Sequence, residues 1–150
     1  VLMAEEIYQP NVYINCAICI PPLAYAISTA VKSKCYSESF KDAGKGNWVM
    51  GFVGITEGAI PFTLVKASRL VPLNMIGCAV TCLLGAKATI PPVGGIYGFI
   101  TIGSGWAYLV GMLVGALFIA FVAPLLANFN VDPDAADETM TEDDVEISFE

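Results

Sequence analysis

Uncharged residues run in long blocks along this chain, and charge is confined to short intervals between them and to one end. The first block, Asn11 to Val31, is 21 residues, roughly 32 Å as a helix at ~1.5 Å per residue. That length matches the roughly 30 Å hydrocarbon core of a bilayer. Pro21-Pro22 falls in its middle, which predicts a kink or break, tolerable only where neighbouring groups satisfy the carbonyls that the prolines free. Lys32 to Asn47 follows, with four of the seven basic residues. It reads as an aqueous loop, cytoplasmic by the positive-inside rule. Trp48 to Val65 is 18 residues with one charge, Glu57, and is punctuated by Gly51, Gly54, Gly58 and Pro61. Such a segment predicts a broken helix or re-entrant hairpin lining a cavity. After the basic turn Lys66–Arg69, the 17 residues from Leu70 to Ala86 are just long enough to span.

Forty uncharged residues, Ala88 to Ala127, come next, too many for one crossing. Their Gly- and Pro-rich first part, Ala88 to Gly105, predicts a second re-entrant element. Trp106 to Ala127 predicts a spanning helix that opens with interfacial Trp106 and Tyr108. Within it Gly111 and Gly115 form a G-x-x-x-G pair suited to close helix packing. The pattern as a whole predicts an all-α polytopic membrane protein with three spanning or near-spanning helices and two Gly/Pro-broken re-entrant elements.

Composition agrees. Hydrophobic residues make up 56% and charged residues 14%, with a mean hydropathy of +0.68, whereas a soluble domain carries roughly 25% charged residues to face water. The net charge of −7 belongs to the end of the chain: nine of the fourteen acids lie in residues 131–150, leaving five acids against seven bases in 1–130. The chain therefore divides into a membrane domain, 1–130, and an acidic, disordered, solvated tail, 131–150. Nothing suggests a nucleic-acid partner. The start has neither a methionine nor a basic signal-peptide region, and reads as cut from a longer chain. There are five cysteines and no histidine. Cys16 and Cys19 spell C-x-x-C inside an apolar run with no second ligand pair, and Cys78 and Cys82 share a helix face; all four read as packing residues. Cys35 lies in the polar loop. No metal, cofactor or disulfide framework is expected.

Glu57 is the candidate for chemistry. A carboxylate in an apolar membrane segment costs several kcal/mol unless it is paired, hydrated or neutralised, so it is expected to face a cavity. The glycines around it let the backbone approach a ligand closely, and a carboxylate accepts well from paired sugar hydroxyls. Structural ion pairing with Lys66, Arg69 or Lys87 is the plainer reading. Residues alone reach as far as a transporter of polar solutes.

The stretch Gly54-Ile55-Thr56-Glu57-Gly58-Ala59-Ile60-Pro61-Phe62 closely resembles the G-I-T-E-G-A-I-P-F signature of the fructose-type permease, enzyme IIC, of the bacterial phosphotransferase system. The resemblance extends through Arg69-Leu70-Val71-Pro72 and Met75-Ile76-Gly77, and upstream through Lys41–Lys45 to Pro21-Pro22-Leu23, covering about residues 11–127. It implies the C-terminal half of a multi-pass permease of the bacterial cytoplasmic (inner) membrane, bathed in lipid. The family moves a sugar while a phosphorylated enzyme IIB donates the phosphoryl group. Glu57 would hold the sugar hydroxyls and assist proton removal, with Thr56, Gly58, Gly94 and Gly95 completing the substrate site. The missing N-terminal half would supply the scaffold of a homodimer. Two departures stand out. The family's D-P-L-R is reduced to Arg69, and its P-H-G-G is Pro92-Val93-Gly94-Gly95 here, which widens the expected ligand from fructose to another hexose, a polyol or a sugar derivative. Without a histidine or a C-P-T-G loop, the chain has neither the IIA nor the IIB phosphorylation site and is not expected to phosphorylate sugar alone. The other functional classes in view are an ion- or proton-coupled secondary transporter using Glu57 as its ion site, and a non-transporting truncated remnant.

Overall fold

The computed structural model describes residues 9–85 and 105–130. Within them the apolar blocks become helices: α1 (Gln9–Val31), α2 (Glu38–Val53), the short α3 (Ile60–Leu64), α4 (Ala67–Gly85) and α5 (Gly105–Leu126). Two 3-10 turns, Ser33–Cys35 and Thr56–Ala59, link them. A single parallel bridge between Tyr36 and Phe129 is the only β-type pairing among the described residues. The second predicted re-entrant element and the acidic tail lie outside those residues.

Two expectations need correction. Of the kink or break expected at Pro21-Pro22, the break is absent: α1 runs through both prolines. The amides those prolines lack would have bonded the carbonyls four residues back, Ala17 and Ile18. In their place the Cys78 thiol approaches Ala17 O at 4.0 Å and the Thr56 hydroxyl donates to Ile18 O at 3.4 Å. Both contacts are long, but each puts a donor over an acceptor that would otherwise be orphaned. α5 repeats the device more strongly. Pro124 frees Ala120 O, and the Ser28 hydroxyl of α1 donates to it at 2.8 Å. With its own proton committed, Ser28 accepts from Tyr36 OH at 2.6 Å.

The second correction concerns the aqueous loop, which is helical from Glu38 onward. The ion pairs Glu38–Lys41 and Asp42–Lys45 sit one turn apart on its surface, and Glu38 opens the helix where its dipole favours an acid. Phe40, Gly44, Asn47 and Gly51 are buried at a spacing of about one per turn, giving α2 a narrow seam against α1. A cluster of charges hid that seam from a reading based on polarity.

α1 is the hub, touching α2, α4 and α5. α4 and α5 pack closely because Gly77 and Gly115 bring their backbones together: a Cβ on Gly115 would overlap the Thr81 hydroxyl and crowd Gly77 O at 2.9 Å. At one end Tyr25, Tyr36, Phe40, Phe62 and Phe129 form an aromatic block. In it Tyr25 stacks on Phe62 at 4.9 Å and Tyr36 on Phe129 at 4.6 Å, and all five rings are buried.

The outer faces of α4 and α5 are apolar as well. Leu83 is 79% exposed and Leu125 76%, with Met75, Val110, Leu113 and Phe121 also exposed. α4 and α5 are each long and apolar enough to cross a membrane, yet only 22% and 39% of those windows are buried. The core helix of a soluble protein would be mostly buried; these helices need an apolar solvent on their outer faces.

Candidate functional site

The signature segment is where helical structure stops and restarts. α2 ends at Val53 because Gly54 adopts a left-handed conformation, φ 86°, ψ 47°, which an L side chain enters at a cost of ~1–2 kcal/mol. The amides of Gly54 and Ile55 both close on Met50 O at 2.8 Å, and Ile55 leaves in an extended conformation. Thr56–Ala59 then winds as a 3-10 turn into α3, with Pro61 at the start of that helix, where its missing amide costs nothing. Gly58 lies against the buried Asn47 of α2, and a Cβ there would collide with the Asn47 side-chain oxygen. The signature is therefore partly structural: Gly54 turns the chain, Gly58 lets it pass Asn47, and Phe62 pins it to Tyr25.

The turn borders a cavity of about 470 Å³ between α1, α3 and α4, lined among others by Pro21, Thr56, Ala59, Thr63, Asn74 and Cys78. Its size is within the roughly 300–1,000 Å³ of small-molecule sites. Most of the wall is apolar, and two of its polar side chains, Thr63 and Asn74, belong to one chain of hydrogen bonds. Tyr25 OH donates to Asn74 Oδ1 at 3.2 Å, Asn74 Nδ2 donates to Thr63 Oγ1 at 3.1 Å, and Thr63 Oγ1 donates to Ala59 O at 2.9 Å.

The predicted residues distribute unevenly around this cavity. Thr56 lines it. Glu57 is on the same turn but exposed, and is not among that cavity's lining residues. Among the described residues it forms no ion pair with Lys66 or Arg69; Lys87, Gly94 and Gly95 lie outside them. Gly58 is half-buried beneath Asn47. The sequence reading missed Thr63, Asn74 and Tyr25. A signal was available, since Asn74 is the only carboxamide in the Leu70–Ala86 run, and a polar side chain inside a spanning segment marks function or a helix contact.

Broken helix, apolar outer faces of α4 and α5 and a small cavity with few polar groups together fit a membrane protein with room for a small ligand. Known proteins resemble the chain over most of its length. The chain is 31% identical, over its whole length, to "Fructose-like permease IIC component 2" of Escherichia coli K12, aligning with 42% of that protein. It is 33% identical to a "PTS system fructose-specific EIIB'BC component" of Vibrio cholerae over 80% of this chain and 22% of the relative. It is 30% identical to the "Fructose permease IIC component" of Bacillus amyloliquefaciens over 79% of this chain and 40% of the relative. Over most of its length the chain is similar to fructose-type enzyme IIC permeases of the phosphotransferase system, and α4 and α5, each long and apolar enough to cross a bilayer, fit a membrane protein. It spans less than half the length of these relatives. No protein-family model and no solved structure matches it.

Proposed function

We propose that this chain is the sugar-binding, C-terminal half of a fructose-type permease that carries a sugar across the bacterial cytoplasmic membrane and presents it for phosphorylation. The observation that supports this best is the full-length likeness to a fructose-like IIC permease, because it includes the signature segment that the structure folds as a helix break beside a cavity. Glu57 is the acceptor for sugar hydroxyls and for the proton of the hydroxyl that attacks the phosphoryl group. Thr56, Gly58, Gly94 and Gly95 shape the rest of the site, and the segments around Glu57 and around Pro91-Pro92 act as a pair of re-entrant elements.

An exposed carboxylate cannot face lipid without a cost of several kcal/mol. Its cover in this reading is the N-terminal half of the permease, which completes the site and forms the homodimer contact. Phosphorylated enzyme IIB is the phosphoryl donor; several relatives are named as fusions of B and C components, so the two functions are joined in those proteins. In this picture the Lys32–Asn47 face is cytoplasmic, where its lysines steer an acidic or phosphorylated partner.

The test is uptake and phosphorylation of labelled sugars by cells that supply the upstream half and IIB, comparing the natural chain with Glu57→Gln. Loss of both uptake and sugar phosphate in the variant, with the protein still in the membrane, supports the assignment. Full activity in Glu57→Gln overturns it.

A further inference from the structure

The polar chain in the cavity wall has a direction, and the direction leaves one donor over. Thr63 spends its proton on Ala59 O, so toward Asn74 its oxygen can only accept. Asn74 must therefore turn its Nδ2 to Thr63 and its Oδ1 to Tyr25, which in turn must donate. The carboxamide orientation, ordinarily ambiguous, follows from the Thr63 bond to Ala59 O. One of the two Nδ2 protons goes to Thr63, and the other has no partner among the described residues. Asn74 is only partly buried and lies on the wall of a cavity that Thr56 also lines. Tyr25 is itself immobilised by its stack on Phe62, so the amide is held from behind by a rigid ring.

The geometry points to Asn74 as a specificity-determining residue, a fixed N–H donor that reads one hydroxyl oxygen of a neutral polyhydroxy ligand in the cavity. This rests on the permease reading and deepens it. Glu57 and Asn74 divide the work, the carboxylate accepting from hydroxyl protons and the carboxamide donating to a hydroxyl oxygen. No ionic group lines the cavity among the described residues, which favours an uncharged sugar or polyol over a sugar phosphate or acid. An apolar wall also fits the C–H faces of such a ligand, with discrimination left to the few polar points. Thr63 and Tyr25 are positioning residues that act through the amide.

The experiment is sugar uptake by the chain assembled with the rest of the permease and phosphorylated IIB, for the natural chain and Asn74→Leu. It uses the transported sugar and its series of monodeoxy analogues. Loss of one neutral hydrogen bond is worth about 1 kcal/mol, so KM for the parent sugar should rise roughly five- to tenfold while kcat holds. One deoxy analogue should be handled equally by both proteins, because it lacks the hydroxyl that Asn74 reads. Asn74→Ser gives the same contrast if the leucine variant does not accumulate. An unchanged KM, or an equal loss for the parent sugar and every analogue, would overturn the role of Asn74 while leaving the permease reading intact. Absence of any sugar uptake by the natural assembly would overturn the permease reading and this role together.

Discussion

The α4–α5 pair and the Gly54–Leu64 segment meet the same problem in opposite ways. Both belong to a chain with an apolar exterior, where every backbone amide and carbonyl must find a partner inside the protein. The pair solves it with unbroken helices, and its small residues serve contact alone: Gly77 and Gly115 let two backbones approach, and Thr81 returns its hydroxyl to Gly77 O at 3.0 Å. The broken segment gives up helical bonds at Gly54 and recovers partners through the cap on Met50 O and the Thr63 bond to Ala59 O, while its Thr56 hydroxyl serves the Ile18 carbonyl of α1. Smooth helices give span and stability. The interrupted one brings hydroxyls, a carboxylate and bent backbone to the edge of a cavity. Irregularity is concentrated where binding is proposed.

That contrast can be broken at its strong end first. Gly115→Leu should separate α4 from α5, since even a Cβ meets Thr81 and Gly77. Overpacking of about 3 kcal/mol or more should appear as loss of folded protein in detergent, read by gel filtration and thermal unfolding. Ser28→Ala strands Ala120 O, already without the Pro124 amide, and removes the acceptor of Tyr36. A destabilisation of about 1–3 kcal/mol is expected. Adding Pro124→Ala, which restores an amide to Ala120 O, should recover part of it, and a double-mutant cycle with no coupling would contradict the account. Gly54→Ala should cost ~1–2 kcal/mol for the left-handed backbone, and should lower sugar affinity further than an equally destabilising change in α5.

The smallest effect belongs to the exposed Asp42–Lys45 pair. The Lys45 ammonium, by its hydrogen bond and then its charge, holds the Asp42 carboxyl below its ordinary range. Its contribution is therefore present above the ordinary aspartate pKa and fades as pH falls through the lowered one. Asp42→Asn should leave neutral-pH unfolding unchanged within error and flatten the acid limb slightly.

Much of this was legible in the sequence. Trp106 to Ala127 and Leu70 to Ala86 became α5 and α4 almost residue for residue, because lengths near 20 with little or no charge leave a helix few alternatives in lipid. The helix break was legible from Gly54 and Gly58. The continuity of α1 was not, since the donors that rescue Ala17 O and Ile18 O come from residues 38 and more positions away. The helical start of α2 was hidden by Lys41, Asp42 and Lys45, which decorate one face and mask the buried Phe40, Gly44 and Asn47. Asn74 was overlooked beside Glu57 because a charge in a membrane segment draws attention that an amide does not. Its meaning depends on Tyr25 and Thr63, which only the fold brings to it.

The most direct measurement follows the phosphoryl group. Membrane vesicles carrying this chain with its upstream half are given IIB labelled on its phosphoryl group, and a panel of neutral sugars and polyols is screened for labelled sugar phosphate. The account predicts product with at least one member of the panel, none without IIB, and none in Glu57→Gln. Transport that proceeds with unphosphorylated IIB on an ion gradient alone, yielding unmodified sugar, would contradict it.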